Sequence, residues 1–231
     1  MDTNDQSKGC PEWGYRLNFS PSESDPIHHF CGANEIRGSV CPNCNKPLLR
    51  LLSLDAKDPR LEFDATRHPV VHLLYCWTCS IPYGNFSYKI CNDGGVELLH
   101  IPPKNKYEFG PDGPYDGFTG VYPRLPVTLQ ALSPEQQGNQ IARFLSDSED
   151  DDKFGPGHQI GGHPKIDNPS KTLCPMCSLE MPLLAAICDD ATGNNPGKVE
   201  GKDTFTSNCG VQMIFNFCRN CSVVSAYHSN D

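Results

Sequence analysis

The chain has 231 residues, with 19 Lys and Arg against 28 Asp and Glu, a formal net charge of −9 at pH 7. That length can bury a core as one large domain or two linked ones, and no run of about 18 apolar residues is present to span a membrane. Nucleic-acid affinity comes mainly from clustered cations, which this sequence lacks, so the charge disfavours a nucleic-acid surface; it keeps the chain soluble or suits a basic protein partner.

The opening MDTNDQSKGC is polar and acidic, without the apolar segment of a secretory signal, so the expected location is the cytoplasm. In a reducing compartment thirteen cysteines are not expected to form a disulfide framework, and pairs at CxxC spacing point to metal. Residues 1–28 show little periodicity, and Trp13 is their large anchor. A glycine-containing approach, HHFCGANEIRGSVCPNC (28–44), leads to Cys41-Pro42-Asn43-Cys44. An apolar run of strand length follows, then a charged loop over 55–69, then PVVHLLYC (69–76), a strand feeding Cys76-Trp77-Thr78-Cys79. NFSYKI (85–90) and VELLH (96–100) predict a hairpin around Asn92-Asp93-Gly94-Gly95.

Residues 101–126 hold six prolines and four glycines and read as an irregular connection. A helix is expected over 133–145, with Ser133 as N-cap, Pro134 at the first helical position and Gln136 completing a capping box. SDSEDDDKFGPG (146–157) is an acidic joint. GHQIGGHPKIDNPSKTLCPMC (157–177) then echoes the first approach, and Phe30-Cys31-Gly32 lines up loosely with Ile160-Gly161-Gly162. PLLAAIC (182–188) and VQMIFNFC (211–218) are strands, the second feeding Cys218-Arg219-Asn220-Cys221, and SVVSAYH (222–228) closes the chain.

The same four-cysteine unit thus occurs twice. The expected fold is mainly β with few helices (α+β), with two similar zinc-ribbon-containing lobes from an internal duplication. The expected units are residues 1–100, a connector over 101–156 and residues 157–231. A structural zinc needs four ligands placed tetrahedrally, and two CxxC turns facing each other supply them. Cys41, Cys44, Cys76 and Cys79 are expected around one ion, and Cys174, Cys177, Cys218 and Cys221 around another. Exchange of pairs between the halves is the alternative. Gaps of 31 and 40 residues between the pairs leave room for an inserted hairpin or loop.

A zinc held by four cysteines has no open position for water, so these sites are not expected to be hydrolytic. His29, His158, His163 and His228 lie outside any HExxH pattern and read as structural groups. Cys31 beside His29 is the alternative, a Cys–His nucleophile supported by sequence proximity alone. Cys10, Cys91, Cys188 and Cys209 share no pattern with it or with one another. Asp147, Glu149, Asp150, Asp151 and Asp152 form a solvated linker or, in the sharper reading, a docking strip for a basic partner.

HQIGGHP (158–164), CPMC, PLLAAICDD, FCRNC and the closing HSND together resemble the bacterial YwqG-like family of unknown function. More loosely, the chain resembles the programmed-cell-death-protein-like chaperones of a small-subunit ribosomal protein. The resemblance covers roughly 28–100 and 157–231, and it departs at Phe30-Cys31-Gly32, where the first Gly-Gly is lost. It implies a duplicated β architecture without established catalysis. Relatives of this kind occur beside polymorphic toxins, so the expected function is that of a non-catalytic immunity protein binding a cognate bacterial toxin. The alternative is a chaperone or assembly factor for a basic protein such as a ribosomal one. No nucleic acid, membrane or small-molecule substrate is expected.

Overall fold

The structure, a computed structural model, describes residues 14–19, 28–76, 85–100, 122, 124–137, 158–164, 166, 171–188 and 212–229. Its strands in chain order are β1 (Tyr15–Asn18), β2 (His28–Phe30), β3 (Leu49–Asp55), β4 (Val70–Tyr75), β5 (Phe86–Ile90) and β6 (Val96–His100). They continue with β7 (Leu125–Ala131), β8 (His158–Ile160), β9 (Leu183–Cys188), β10 (Gln212–Cys218) and β11 (Val223–Ser229). All join one 11-stranded sheet in the order β4-β3-β2-β7-β1-β8-β9-β10-β11-β5-β6, curled into a half-barrel. Every strand pairing is antiparallel. The mainly-β expectation matches this sheet. The two expected lobes do not stand as separate sheets: β1 lies between β7 and β8, and the β5–β6 hairpin adds to β11.

The hairpin turns where expected. Gly94 has a φ of +80°, Cys91 N–H donates to Gly95 O over 2.9 Å, and the Asp93 carboxylate accepts from Gly95 N–H. Ser133 and Gln136 form the expected capping box, each side chain accepting from the other's backbone N–H at 3.1 and 3.0 Å. Residues 134–137 are helical, and the rest of the expected helix lies outside the described residues.

The curl brings the two ends of the strand order together. Tyr88 on β5 is fully buried; its hydroxyl donates to His72 O at 2.7 Å and accepts from Leu74 N–H at 2.8 Å. One side chain thereby satisfies backbone groups on the edge strand β4, which would otherwise present them unpaired. Leu17, Phe30, Leu52, Leu73, Phe86, Phe215 and Val224 belong to a core that runs through strands of both halves.

Local geometry repeats between the halves. Cys31 and Gly32 have φ of 55° and 102°, and Gly161 and Gly162 have 60° and 64°. Cys31 N–H donates to Leu51 O as Gly161 N–H donates to Leu184 O. The β3–β4 register shifts between Arg50 and Leu52, and the β9–β10 register shifts opposite Phe215 and Asn216. Such bulges place an extra residue, here Leu51 and Leu184, and bend the strand.

Among the described residues no helix is long and apolar enough to cross a membrane.

Candidate metal centres

Each CPxC pair sits on a tight hairpin. In the first, Asn45 N–H donates to Cys41 O at 2.8 Å and Cys41 N–H to Lys46 O at 2.9 Å. In the second, Ser178 N–H donates to Cys174 O and Cys174 N–H to Leu179 O, both at 2.8 Å. Val40 bridges Pro47 as Leu173 bridges Glu180. Asn45 and Ser178 both take the left-handed conformation, at φ of 56° and 60°, which reverses the chain immediately after the second cysteine. The partner cysteines arrive at strand ends: Cys76 directly follows β4, and Cys218 is the last residue of β10.

The sulfurs converge. Cys174, Cys177, Cys218 and Cys221 lie with all four Sγ atoms within 4.8 Å of one another, and so do Cys41, Cys44 and Cys76. Cys79, the expected fourth member of the first group, lies outside the described residues. A tetrahedral site with metal–sulfur bonds of about 2.3 Å has sulfur–sulfur edges of about 3.8 Å. Cys44 Sγ and Cys76 Sγ are 3.8 Å apart, and Cys177 Sγ and Cys218 Sγ are 3.7 Å apart. Both clusters can therefore hold a metal ion, and they pair cysteines within each half.

Crowding of the sulfurs shifts these thiols in opposite directions. Hydrogen bonds from Cys76 and from the Cys44 and Asn43 backbone outweigh burial and bring Cys41 down to about 5. The backbone at Leu179 lowers Cys177. Burial, then hydrogen bonding with the neighbouring thiols, pushes Cys221 up to about 11, and burial likewise raises Cys218. Four sulfurs at one point resist becoming thiolates together unless a cation lies among them.

The second centre is anchored to the N-terminal half. Arg219 donates to Leu61 O at 3.0 Å and lies 3.6 Å from the Glu62 carboxylate. The Phe63 and Phe217 rings meet edge-on at 5.3 Å, and His68 Nε2 lies 2.7 Å from Ser222 Oγ. A loop inserted between β3 and β4 thus packs on the last knuckle, a contact with no periodic signal in the sequence.

The histidines divide by position. His28, absent from the sequence-derived candidates, is buried with both ring nitrogens engaged. Nδ1 accepts from Asp55 N–H at 2.9 Å and Nε2 lies 2.9 Å from Asp58. Asp58 also caps the 3₁₀ turn Pro59–Leu61 and is gripped by the Arg60 guanidinium. Burial would raise Asp58, but those donors hold it below the usual carboxylate range. His158 packs against the Phe30 and Phe19 rings, at centroid distances of 4.9 and 6.2 Å. His163 is exposed, and of His228 only the backbone, paired with Met213, is described.

Burial pushes the Cys31 thiol up to about 12, whereas a cysteine nucleophile acts as a thiolate. Asp147, Glu149, Asp150, Asp151 and Asp152 lie outside the described residues, as do Trp13, Cys10 and Cys209; of Cys188, only its place at the end of β9 is described.

The apolar side chains at the second knuckle were not singled out from sequence. Leu173, Met176 and Leu179 are 52%, 50% and 40% exposed on the Cys174–Cys177 hairpin. By the matching hydrogen bonds their counterparts on the first hairpin are Val40, Asn43 and Lys46. No family model, curated protein or solved structure matches this chain.

Proposed function

We propose that this chain is a non-catalytic, zinc-stapled protein-binding scaffold built on a duplicated unit, and that it neutralises a cognate bacterial toxin of basic character. The observation that carries the reading is the exposed apolar triad Leu173, Met176 and Leu179 on a hairpin whose base is a four-sulfur cluster. Burying a large apolar side chain is worth roughly 1.5–3 kcal/mol, so three on one rigid turn can anchor a partner with little ordering cost. The formal charge of −9 favours a basic partner. The paired left-handed residues, matched hydrogen bonds and matched bulges of the two halves support duplication of one unit. Zinc suits the all-thiolate donor sets, one ion per cluster.

The test is recovery of tagged full-length protein from its own cells, in parallel with Leu173→Ser/Met176→Ser/Leu179→Ser. A toxin retained by the wild type and lost from the triple variant, with zinc content unchanged, is the expected result. A partner held equally by both would move the interface elsewhere, and a ribosomal protein in place of a toxin would replace neutralisation by chaperoning.

A further inference from the structure

The face of β2, β3 and β4 that carries His29 also carries a concentration of cationic groups, in a chain whose net charge is −9. Strand register sets the row: His29 stands opposite Ser53, and Ser53 opposite His72, with Ser53 Oγ 2.9 Å from His72 Nδ1. The bulge at Leu51 and the pairing of Arg50 with Leu74, two residues from His72, place Arg50 on this same face, and Arg124 immediately precedes Leu125, which pairs with Phe30.

Arg50 and Arg124 meet over the bare Cα of Gly32. A Cβ at that position would lie 2.3 Å from Arg50 Nη2 and 2.9 Å from Arg124 Cβ, and the φ of +102° itself favours glycine. Arg50 is held by its Nε and Nη2 donating to Cys31 O at 3.3 and 3.2 Å, which leaves Nη1 uncommitted by that grip. Among the described residues no carboxylate lies within 4.0 Å of either guanidinium. Glu35, which is exposed, is the acid whose field reaches Arg50. Burial, then Arg124 and Arg50, lower His29.

The second half supplies an internal comparison. By register, the counterparts of His29, Arg50 and Arg124 are Gln159, Leu183 and Gly14. There the equivalent Gly162 faces Gly14 Cα and the Gln159 amide, and the position is neutral and filled. The fold therefore builds this corner without cations, and their gathering in the first half is not a requirement of the backbone.

We propose that Arg50, Arg124 and His29 form a binding site for a compact oxyanion of the phosphate class, free or as a monoester. Guanidinium groups match the oxygens of such a group through charge-assisted hydrogen bonds, and two brought together without a carboxylate are stabilised by a dianion between them.

The test uses the zinc-loaded full chain, titrated calorimetrically with inorganic phosphate and with O-phosphoserine at ionic strength held constant by chloride. Wild type is expected to bind at least one of them saturably, and the tighter of the two identifies the free or the esterified source. Arg124→Gln, an exposed position, is expected to weaken that binding by about tenfold or more, as loss of a charged donor does. Arg50→Leu, the residue of the neutral counterpart, is expected to do the same, and Arg37→Gln, which removes an exposed cation paired with Asp93, to leave binding within about twofold. Absence of saturable binding to wild type, or equal loss in Arg37→Gln and Arg124→Gln, would overturn the site.

Discussion

Ser178 shows how much of this molecule turns on single backbone angles. It holds a left-handed φ of 60° to close the second CPxC hairpin, as Asn45 does at 56° in the first. Asparagine tolerates that region and serine less well. Ser178→Gly should therefore be neutral or stabilising by up to about 1 kcal/mol in urea unfolding, and Ser178→Val should cost on the order of 1–3 kcal/mol. A Val variant as stable as wild type would remove strain from the account of the hairpin. His72 carries the pH dependence at this scale. Burial, then Arg50, brings it down to about 4 in the fold, from an ordinary value of 6.5. A lowered histidine leaves the unfolded chain binding the proton first, so its stabilisation is complete above about pH 6.5 and is lost as pH falls to about 4, a difference of about 3 kcal/mol. The stability of wild type minus that of His72→Leu should slope downward through that window, a difference in which thiolate titration common to both cancels. A flat difference would mean that His72 is as easily protonated in the fold as outside it.

At the scale of elements, the β4 edge depends on a side chain from β5. Tyr88→Phe leaves His72 O and Leu74 N–H without their partner while keeping the ring. The cost should be about 1–3 kcal/mol, because unpaired buried backbone groups lose their full solvation. Amide exchange at Leu74 should accelerate more than at β10. The β3–β4 and β9–β10 strands, the β5–β6 hairpin and the capping box at Ser133 were all legible in the sequence, because each has a local cause. Those causes are an apolar run ending at a cysteine pair, an Asn-Asp-Gly-Gly turn, and a serine followed three residues later by glutamine. β1, β2 and β7 were not. Tyr15–Asn18 and His28–Phe30 are too short for alternation to register, and β7 begins at Leu125 inside a proline-rich stretch. Their stability comes from neighbours remote in sequence, which periodicity does not report.

For the whole molecule, the decisive feature is that the halves share one sheet. β1 belongs to the first half of the chain yet pairs with β8 of the second, while β7 pairs with β2. The last knuckle is joined to the β3–β4 loop through Arg219, Phe217 and Ser222. The cysteine spacing made both sulfur clusters readable. It did not reveal the exchange of β1 and β7 between halves, because strand pairing across 95 or more residues leaves no mark on either strand's own pattern. Cys174→Ser should therefore lower the unfolding midpoint of the entire chain in a single transition. The loss should be several kcal/mol, a large share of the 5–15 kcal/mol that domains of this kind possess. Two separate transitions, with only one displaced, would show that the halves fold independently despite the common sheet.

Native mass spectrometry of the full chain tests the central claim most directly, since both clusters are held to be zinc sites that staple a single sheet. Two zinc ions per chain are predicted, falling to one in Cys41→Ser and to one in Cys174→Ser. A folded wild-type chain carrying no zinc, or a variant of either cluster that still carries two ions, would contradict the assignment.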